Sequence, residues 1–141
     1  MKNILGILLA AIFAVLSLFH IYWAIGGRSA SSVAIPSIDG KPLFSPSVFA
    51  TLLVATALFL AMLTVLGQIG LLGEIIPLWI FRWATFAIAA LFFLRSIGDF
   101  KIVGFFKQAS DSGFAYWDTI LFSPLCLFIA VVAFLISYEK G

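Results

Sequence analysis

Four long apolar runs separated by polar segments dominate the chain. They cover approximately residues 4–25, 46–66, 78–97 and 117–138. A helix rises 1.5 Å per residue, so a run of about 20 apolar residues is long enough to cross the hydrocarbon core of a bilayer. The pattern predicts an all-α, integral membrane four-helix transmembrane bundle, folded as a single domain over residues 1–141.

The polar segments predict which helix ends lie together. Residues 26–46 and 98–116 form two long loops, and Gly67, Gly70, Gly73 and Pro77 mark a short link. Four spans place both termini on one side of the membrane and both long loops on the other. Five basic residues on the loop side against three on the terminal side would place the loops in the cytoplasm. If Arg28 and Arg95 belong to a site and are left out, the count of basic residues is three against three and no longer favours either side. The start Met1-Lys2-Asn3 is typical of a cytoplasmic N-terminus, so we favour cytoplasmic termini.

Helix starts are indicated by two identical tetrapeptides, Leu43–Pro46 and Leu121–Pro124. Ser45 followed by Pro46 predicts an N-cap with proline in the first helical position. Pro124 falls inside the last apolar run and predicts a kink or a poorly helical first turn there. We attribute the repeat to chance and to helix-start chemistry rather than to ancestry.

Small residues recur along the first apolar run. Gly6, Ala10, Ala14 and Ser17 follow helical spacing, which predicts a face for close helix contact. His20 lies three residues after Ser17 and is predicted in the same interface. The run is longer than the apolar core of a signal peptide, about 7–15 residues, and predicts a retained helix.

Composition narrows the class further. The chain is 64% hydrophobic and 10% charged, whereas soluble domains carry roughly 25% charged residues. A net charge of +2 does not indicate nucleic acid as a partner. Cys126 is the single cysteine, so an intrachain disulfide is excluded.

Arg95 is the first candidate for chemistry, because it still lies within apolar sequence. An ionisable residue at membrane depth is costly and by default indicates a site. Asp99 follows one helical turn later, and Asp118 opens the helix across the same loop, so either carboxylate is a candidate partner. The alternative is that the aliphatic part of the Arg95 side chain extends through the apolar layer and places the guanidinium group at the membrane–water interface.

His20 is the only histidine. Zinc and haem sites need further His or Cys ligands, so we predict no metal and no cofactor and favour a hydrogen-bonded role. The candidate binding residues predicted for the loop face are His20, Trp23, Arg28, Arg95, Asp99, Lys107, Trp117 and Asp118.

Three ordered motifs carry a resemblance to a known family. They are His20–Gly27 (HIYWAIGG), Arg95–Phe100 (RSIGDF) with Val103–Lys107, and Trp117–Thr119 with Ser123–Cys126. With these residues the chain resembles a bacterial family of small four-helix integral membrane proteins classed as a domain of unknown function. The resemblance implies a multi-pass protein of the inner membrane and brings no activity, substrate or cofactor.

Three functional hypotheses remain open at this point. The first is a non-enzymatic binding or accessory protein that takes a lipophilic or anionic small ligand at the face formed by loops 26–46 and 98–116. The second is a membrane-embedded enzyme that uses His20 with Asp99 or Asp118 for proton transfer. The third is a small oligomeric carrier. Predicted partners are the lipid bilayer and a homo-oligomer or larger membrane complex, and not nucleic acid.

Overall fold

Helices make up most of the structure, a computed structural model that describes residues 1–27, 34–39, 41–98, 104–107 and 113–139. The helices are α1 (Lys2–Ala24), α2 (Val48–Gln68), α3 (Leu78–Ile97), α4 (Gly113–Trp117) and α5 (Ser123–Tyr138). A π-helical turn, Asp118–Phe122, joins α4 and α5 into one span of 26 residues, Gly113–Tyr138. The predicted all-α four-helix bundle is therefore confirmed.

The four spans run antiparallel to their neighbours in sequence. Helix α1 packs mainly on α2, and α3 packs mainly on α5, while α2 with α3 and α1 with α5 close the bundle. At one end, Lys2 Nζ lies 3.4 Å from the Glu139 carbonyl oxygen, which brings the start of α1 to the end of α5. At the other end, His20 of α1 and Trp117 of α4 line one groove. The two long loops therefore begin and end at the same end of the bundle, as predicted.

A short antiparallel ribbon lies in the first long loop. Strand β1 (Ser37–Ile38) pairs with β2 (Lys41–Pro42), with Ser37 opposite Pro42 and Ile38 opposite Lys41. Asp39 in the turn has a φ of 50°. Asp and Asn tolerate this left-handed conformation better than most residues, which is consistent with the turn that Asp39–Gly40 indicates in the sequence.

The buried core is apolar and lies where all four spans meet. Its residues are Leu9, Ala10, Phe13, Val65, Ala89, Ile129, Val132, Ala133 and Ile136. The predicted small-residue face of α1 contributes to it, because Gly6, Ala10 and Ser17 are buried and Ala14 is half-buried. The Ser17 hydroxyl donates a 2.8 Å hydrogen bond to the Ala55 carbonyl, which ties α1 to α2.

The outer faces of the spans are also apolar. No more than 33% of the residues in the 18-residue apolar stretch that defines each span are buried inside the bundle. Large side chains such as Leu53, Phe59, Leu91 and Val131 are exposed on the outside. A soluble protein seldom exposes apolar patches this extensive, whereas hydrocarbon solvates them. Four helices in the described part of the chain are thus long and apolar enough to cross a membrane.

One predicted helix start needs correction. Helix α2 begins at Val48, and its N-cap is Ser47, whose hydroxyl accepts a 3.1 Å hydrogen bond from the Ala50 N–H. Ser45 and Pro46 precede the helix, because Ser47 supplies the acceptor that the first turn needs. The other copy of the tetrapeptide, Leu121–Pro124, lies within the last span, so the two copies adopt different structures.

The irregularity predicted at Pro124 occurs one turn earlier. In an α-helix, residue 124 would donate its N–H to the carbonyl of Ile120, but proline has no N–H. The π-helical turn Asp118–Phe122 precedes it, and the Ser123 N–H bonds to the Asp118 carbonyl five residues back.

Candidate functional site

Asp118 is the centre of an ion-pair cluster at the loop end of the bundle. It is the first residue of the π-helical turn and is fully buried. Its Oδ1 lies 3.0 Å from Arg95 Nη2, and its Oδ2 lies 3.1 Å from Lys107 Nζ. The Gly104 N–H also donates to Oδ2, at 2.7 Å. Both carboxylate oxygens are therefore occupied, as a buried charge requires.

The segment after α3 is held against the fourth span by backbone contacts. Helix α3 ends at Ile97 with Gly98 as its C-cap, and the Phe105 N–H donates a 2.9 Å hydrogen bond to the Ser96 carbonyl. Gly104 has a φ of +91°, and a Cβ there would overlap the Ile97 carbonyl. Only glycine meets both conditions without strain, so Gly104 allows its own N–H to reach Asp118.

Lys107 is used entirely within the cluster. Its side chain is 6% exposed, and its ammonium group contacts Asp118, the Gly104 carbonyl at 3.0 Å and the Thr119 hydroxyl. The Thr119 hydroxyl in turn donates to the Ala115 carbonyl at 3.0 Å. An ammonium group has three N–H donors, and these three contacts use all of them.

Arg95 is paired, as predicted, with one of the two candidate aspartates. The partner is Asp118, through one oxygen only, because Oδ2 is taken by Lys107 and Gly104. Arg95 and Asp118 are therefore joined by a single nitrogen–oxygen contact. The Arg95 side chain is 33% exposed, and its Nη1 is buried without a hydrogen-bond partner among the described residues.

His20 lies in a separate environment on α1. Its Nδ1 is 2.7 Å from the Leu16 carbonyl oxygen. A carbonyl oxygen only accepts, so Nδ1 donates and carries the proton, and in the neutral ring Nε2 is a hydrogen-bond acceptor. The ring packs edge-on against Trp23, with centroids 5.0 Å apart.

Two grooves of similar size meet at His20. The first, named here the His20 groove, lies between α1 and the fourth span, measures about 260 Å³ and is lined by residues that include Phe19, His20, Trp23, Trp117, Leu121 and Leu125. The second lies between α1 and α2, measures about 310 Å³ and shares His20, Trp23 and Ala34. Together they form an apolar and aromatic recess in which His20 is the one ionisable residue among the described lining residues.

The predicted site residues thus form two groups. Arg95, Lys107 and Asp118 form the ion-pair cluster, and His20, Trp23 and Trp117 line the His20 groove. Trp117 precedes Asp118 in sequence and so connects the two groups. Arg28 and Asp99 lie outside the described residues.

Several contributors were not predicted from the sequence. Gly104 and Thr119 complete the ion-pair cluster, and Leu121 and Leu125 line the groove. The Gly104 signal was available, since a glycine inside a loop between two charged residues favours close backbone approach. Leu121 and Leu125 gave no signal, because they are ordinary residues of an apolar helix. In the part of the chain that the structure describes, no three His, Cys, Asp or Glu side chains converge as metal ligands would.

These features define the class of the protein. Four apolar helices of spanning length, with charged side chains paired at one end, are typical of a multi-pass helical membrane protein. The chain belongs to the family described as protein of unknown function (DUF3995), whose model matches residues 13–133. The match includes every predicted site residue. Comparison with curated proteins and with solved structures gives no match.

Proposed function

We propose that this protein is a non-enzymatic membrane protein that binds a lipophilic small molecule in the His20 groove. The groove opens between α1 and the fourth span, so a ligand dissolved in the bilayer reaches it from the side. The ligand class is an apolar chain that carries one hydrogen-bond donor, such as a long-chain alcohol. The observation that carries the proposal is His20, held through Nδ1 by the Leu16 carbonyl, at the point where two apolar and aromatic grooves meet. The polar surface of this recess lies in the groove between α1 and α2.

The tautomer of His20 determines which polar group the groove accepts. Nδ1 is occupied by the Leu16 carbonyl at 2.7 Å, so the neutral ring offers only the Nε2 lone pair. A hydroxyl or a protonated carboxyl group donates to that lone pair, whereas an ester or ether has no proton to donate. A hydrogen bond in a low-dielectric recess then orients a ligand that apolar contact alone would leave free to slide.

A second groove in the same bundle provides an internal comparison. It lies between α3 and α5, measures about 290 Å³ and is lined only by apolar residues, among them Ala89, Phe93, Leu127 and Val131. Both recesses have room for an alkyl chain, but among the described residues only the recess at His20 has an imidazole in its lining. Selectivity for a donor group would therefore distinguish the His20 groove from ordinary lipid-facing surface.

The bonding of Asp118 favours binding over proton-transfer catalysis with His20. A general base needs a free lone pair within hydrogen-bond reach of the proton that it abstracts. The Asp118 oxygens accept from Arg95, Lys107 and Gly104, and the recorded hydrogen bond of His20 goes to Leu16. Within the described residues, His20 and Asp118 thus belong to different networks. Association into a homo-oligomer or a larger complex stays a prediction.

Tryptophan fluorescence provides the test, since Trp23 and Trp117 line the His20 groove and the other two tryptophans do not. In a Trp79→Phe, Trp83→Phe background, only the groove residues would report. We expect saturable quenching by a brominated long-chain alcohol and several-fold weaker binding of its methyl ether, because one net hydrogen bond contributes about 0.5–1.5 kcal/mol. His20→Phe fills the same space without an acceptor and should make the two ligands equal.

The controls separate binding from partitioning into the detergent or bilayer. In a Trp23→Phe, Trp117→Phe protein, the remaining tryptophans lie outside the His20 groove, and the alcohol and its ether should quench equally. Equal, non-saturable quenching of Trp23 and Trp117 by both ligands would contradict the proposal. So would a preference for the alcohol that survives His20→Phe.

A further inference from the structure

We propose a second ligand site at the opposite end of the bundle, which binds the headgroup phosphate of an anionic phospholipid. The site is a cavity of about 300 Å³ between the start of α3 and the end of α5. It is lined at its polar end by Trp79, Arg82, Trp83, Ser137 and Tyr138, and is named here the Arg82 groove. This proposal stands independently of the ligand proposed for the His20 groove.

The position of the Arg82 groove matches the headgroup level of a membrane. Trp79, Arg82 and Trp83 lie within the first six residues of α3, and Ser137 and Tyr138 are the last two residues of α5. Helix ends of spanning segments lie at the interface, where Trp and Tyr are enriched because their rings have an apolar body and a polar edge. An arginine among them is therefore at the depth of lipid phosphates.

The geometry of Arg82 leaves its outer edge available for an anion. Its Nε donates a 3.0 Å hydrogen bond to the Ser137 carbonyl, which fixes the direction of the guanidinium group. A guanidinium has five N–H donors, so four remain on Nη1 and Nη2. Among the described residues the recorded salt bridges involve Arg95 and Lys107 only, and no acidic residue lines the groove. An arginine whose fork is free is suited to bidentate phosphate recognition.

The apolar end of the Arg82 groove indicates a lipid rather than free phosphate. Phe86 and Phe134 line both this groove and the groove between α3 and α5, so the two recesses are adjacent. The rings of Phe86 and Phe134 are 6.0 Å apart, and Phe134 stacks on Tyr138 at 6.1 Å. A phosphate at Arg82 would thus be followed directly by about 290 Å³ of apolar space, in which an acyl chain fits.

Arg82 and His20 select opposite partners by simple hydrogen-bond chemistry. Arginine donates and never accepts, so it recognises phosphate oxygens. Neutral His20 offers an acceptor, so it recognises a hydroxyl donor.

The alternative for Arg82 is that it only caps the carbonyl end of α5, where basic residues are favourable. A capping residue needs its charge and its contact with Ser137 but shows no preference among lipid headgroups.

The test again uses two tryptophans, Trp79 and Trp83, in a Trp23→Phe, Trp117→Phe protein in nanodiscs. Brominated phosphatidylglycerol should quench them at lower mole fraction than brominated phosphatidylcholine. One basic residue contributes about 1 kcal/mol toward an anionic lipid, so the expected preference is roughly fivefold. Arg82→Gln should abolish the preference. The matched control, Lys2→Gln, removes a basic residue at the same end that does not line the groove, and should leave it intact.

Each outcome decides the proposal. Equal quenching by the two lipids in the unmodified site would overturn it, and so would a preference that survives Arg82→Gln. If Arg82→Gln does not fold, Arg82→Lys keeps the charge without the fork. It should retain the preference for phosphatidylglycerol but need a higher mole fraction of both brominated lipids, and an unchanged mole fraction would contradict phosphate recognition by a fork. Millimolar inorganic phosphate should not release the brominated lipid, and release would show that the site binds a free anion instead.

Discussion

At the scale of single residues, Asp118 is the position on which the loop end of the bundle depends. It is fully buried and contacts Lys107, whose side chain is 6% exposed, and the more exposed Arg95. Removing a carboxylate from a buried pair leaves an uncompensated cation, which typically costs about 3–5 kcal/mol. We expect Asp118→Asn to lower the free energy of unfolding in detergent by about this amount. Arg95→Leu should cost less, because Lys107 still compensates Asp118.

A double-mutant cycle separates the ion pair from other effects of these substitutions. Lys107→Met combined with Asp118→Asn should cost less than the sum of the two single changes, since neither charge is then left alone. Arg95→Lys should be mild, because Arg95 uses one nitrogen toward Asp118 and not a fork. Additive effects of Lys107→Met and Asp118→Asn would show that the 3.1 Å contact contributes no coupling.

Gly104 allows a second prediction at this scale, with Gly26 as a matched control. Both have positive φ, +91° and +99°, but a Cβ at Gly104 would overlap the Ile97 carbonyl, while nothing lies within 4 Å at Gly26. The left-handed conformation costs a non-glycine residue about 1–2 kcal/mol. Gly26→Ala should show about that loss in thermal unfolding, and Gly104→Ala clearly more. Equal losses would mean that the close approach at Gly104 is relaxed at no cost.

At the scale of elements, the close approach of α2 and α3 is tested at Gly67. A Cβ on Gly67 would overlap the Phe81 ring, which is 9% exposed. Gly67→Leu should therefore force the two helices apart and reduce the yield of folded protein in size-exclusion chromatography. Ala57→Leu on the same helix faces outward and should be tolerated. Similar yields for both variants would remove the assigned contact.

The sequence predicted the elements better than their local details. Spanning helices follow from apolar length, and the observed α3, Leu78–Ile97, begins and ends where the apolar run does. The start of α2 was misplaced because Ser45 and Ser47 both qualify as caps, and only the structure shows which hydroxyl accepts from the helix. Pro124 signalled an irregular turn, but a missing N–H does not specify that the turn before it is π-helical.

The site was predictable in its charges and not in its shape. Arg95 is costly at membrane depth unless it is paired, so a pairing with Asp99 or Asp118 was predictable, but the choice of Asp118 was not. The single-oxygen geometry depends on Gly104 and Lys107, whose positions are set by how the loop returns to the fourth span. The Arg82 groove was missed, because Trp79, Arg82 and Trp83 resemble an ordinary interfacial belt until Ser137 and Tyr138 are placed beside them.

At the scale of the whole molecule, the ion-pair cluster and the His20 groove are at one end and the Arg82 groove at the other. Helix α1 crosses the bundle between these ends, with Lys2 beside Glu139 and His20 beside Trp117 in the groove. In a membrane, this arrangement places the two proposed ligand sites in opposite leaflets. Which leaflet is cytoplasmic stays a prediction, with the termini favoured on that side.

The four-span topology underlies both proposals, and accessibility of single cysteines from one side of the membrane tests it most directly. In a Cys126→Ser background, Ser45→Cys and Gly113→Cys lie in exposed positions at the loop end, and Glu74→Cys is exposed in the link between α2 and α3. An impermeant thiol reagent is applied to intact expressing cells. Ser45→Cys and Gly113→Cys should give the same result, both labelled or both unlabelled, and Glu74→Cys should give the other result. Unlike labelling of Ser45→Cys and Gly113→Cys, or labelling of all three from the same side, would contradict the account.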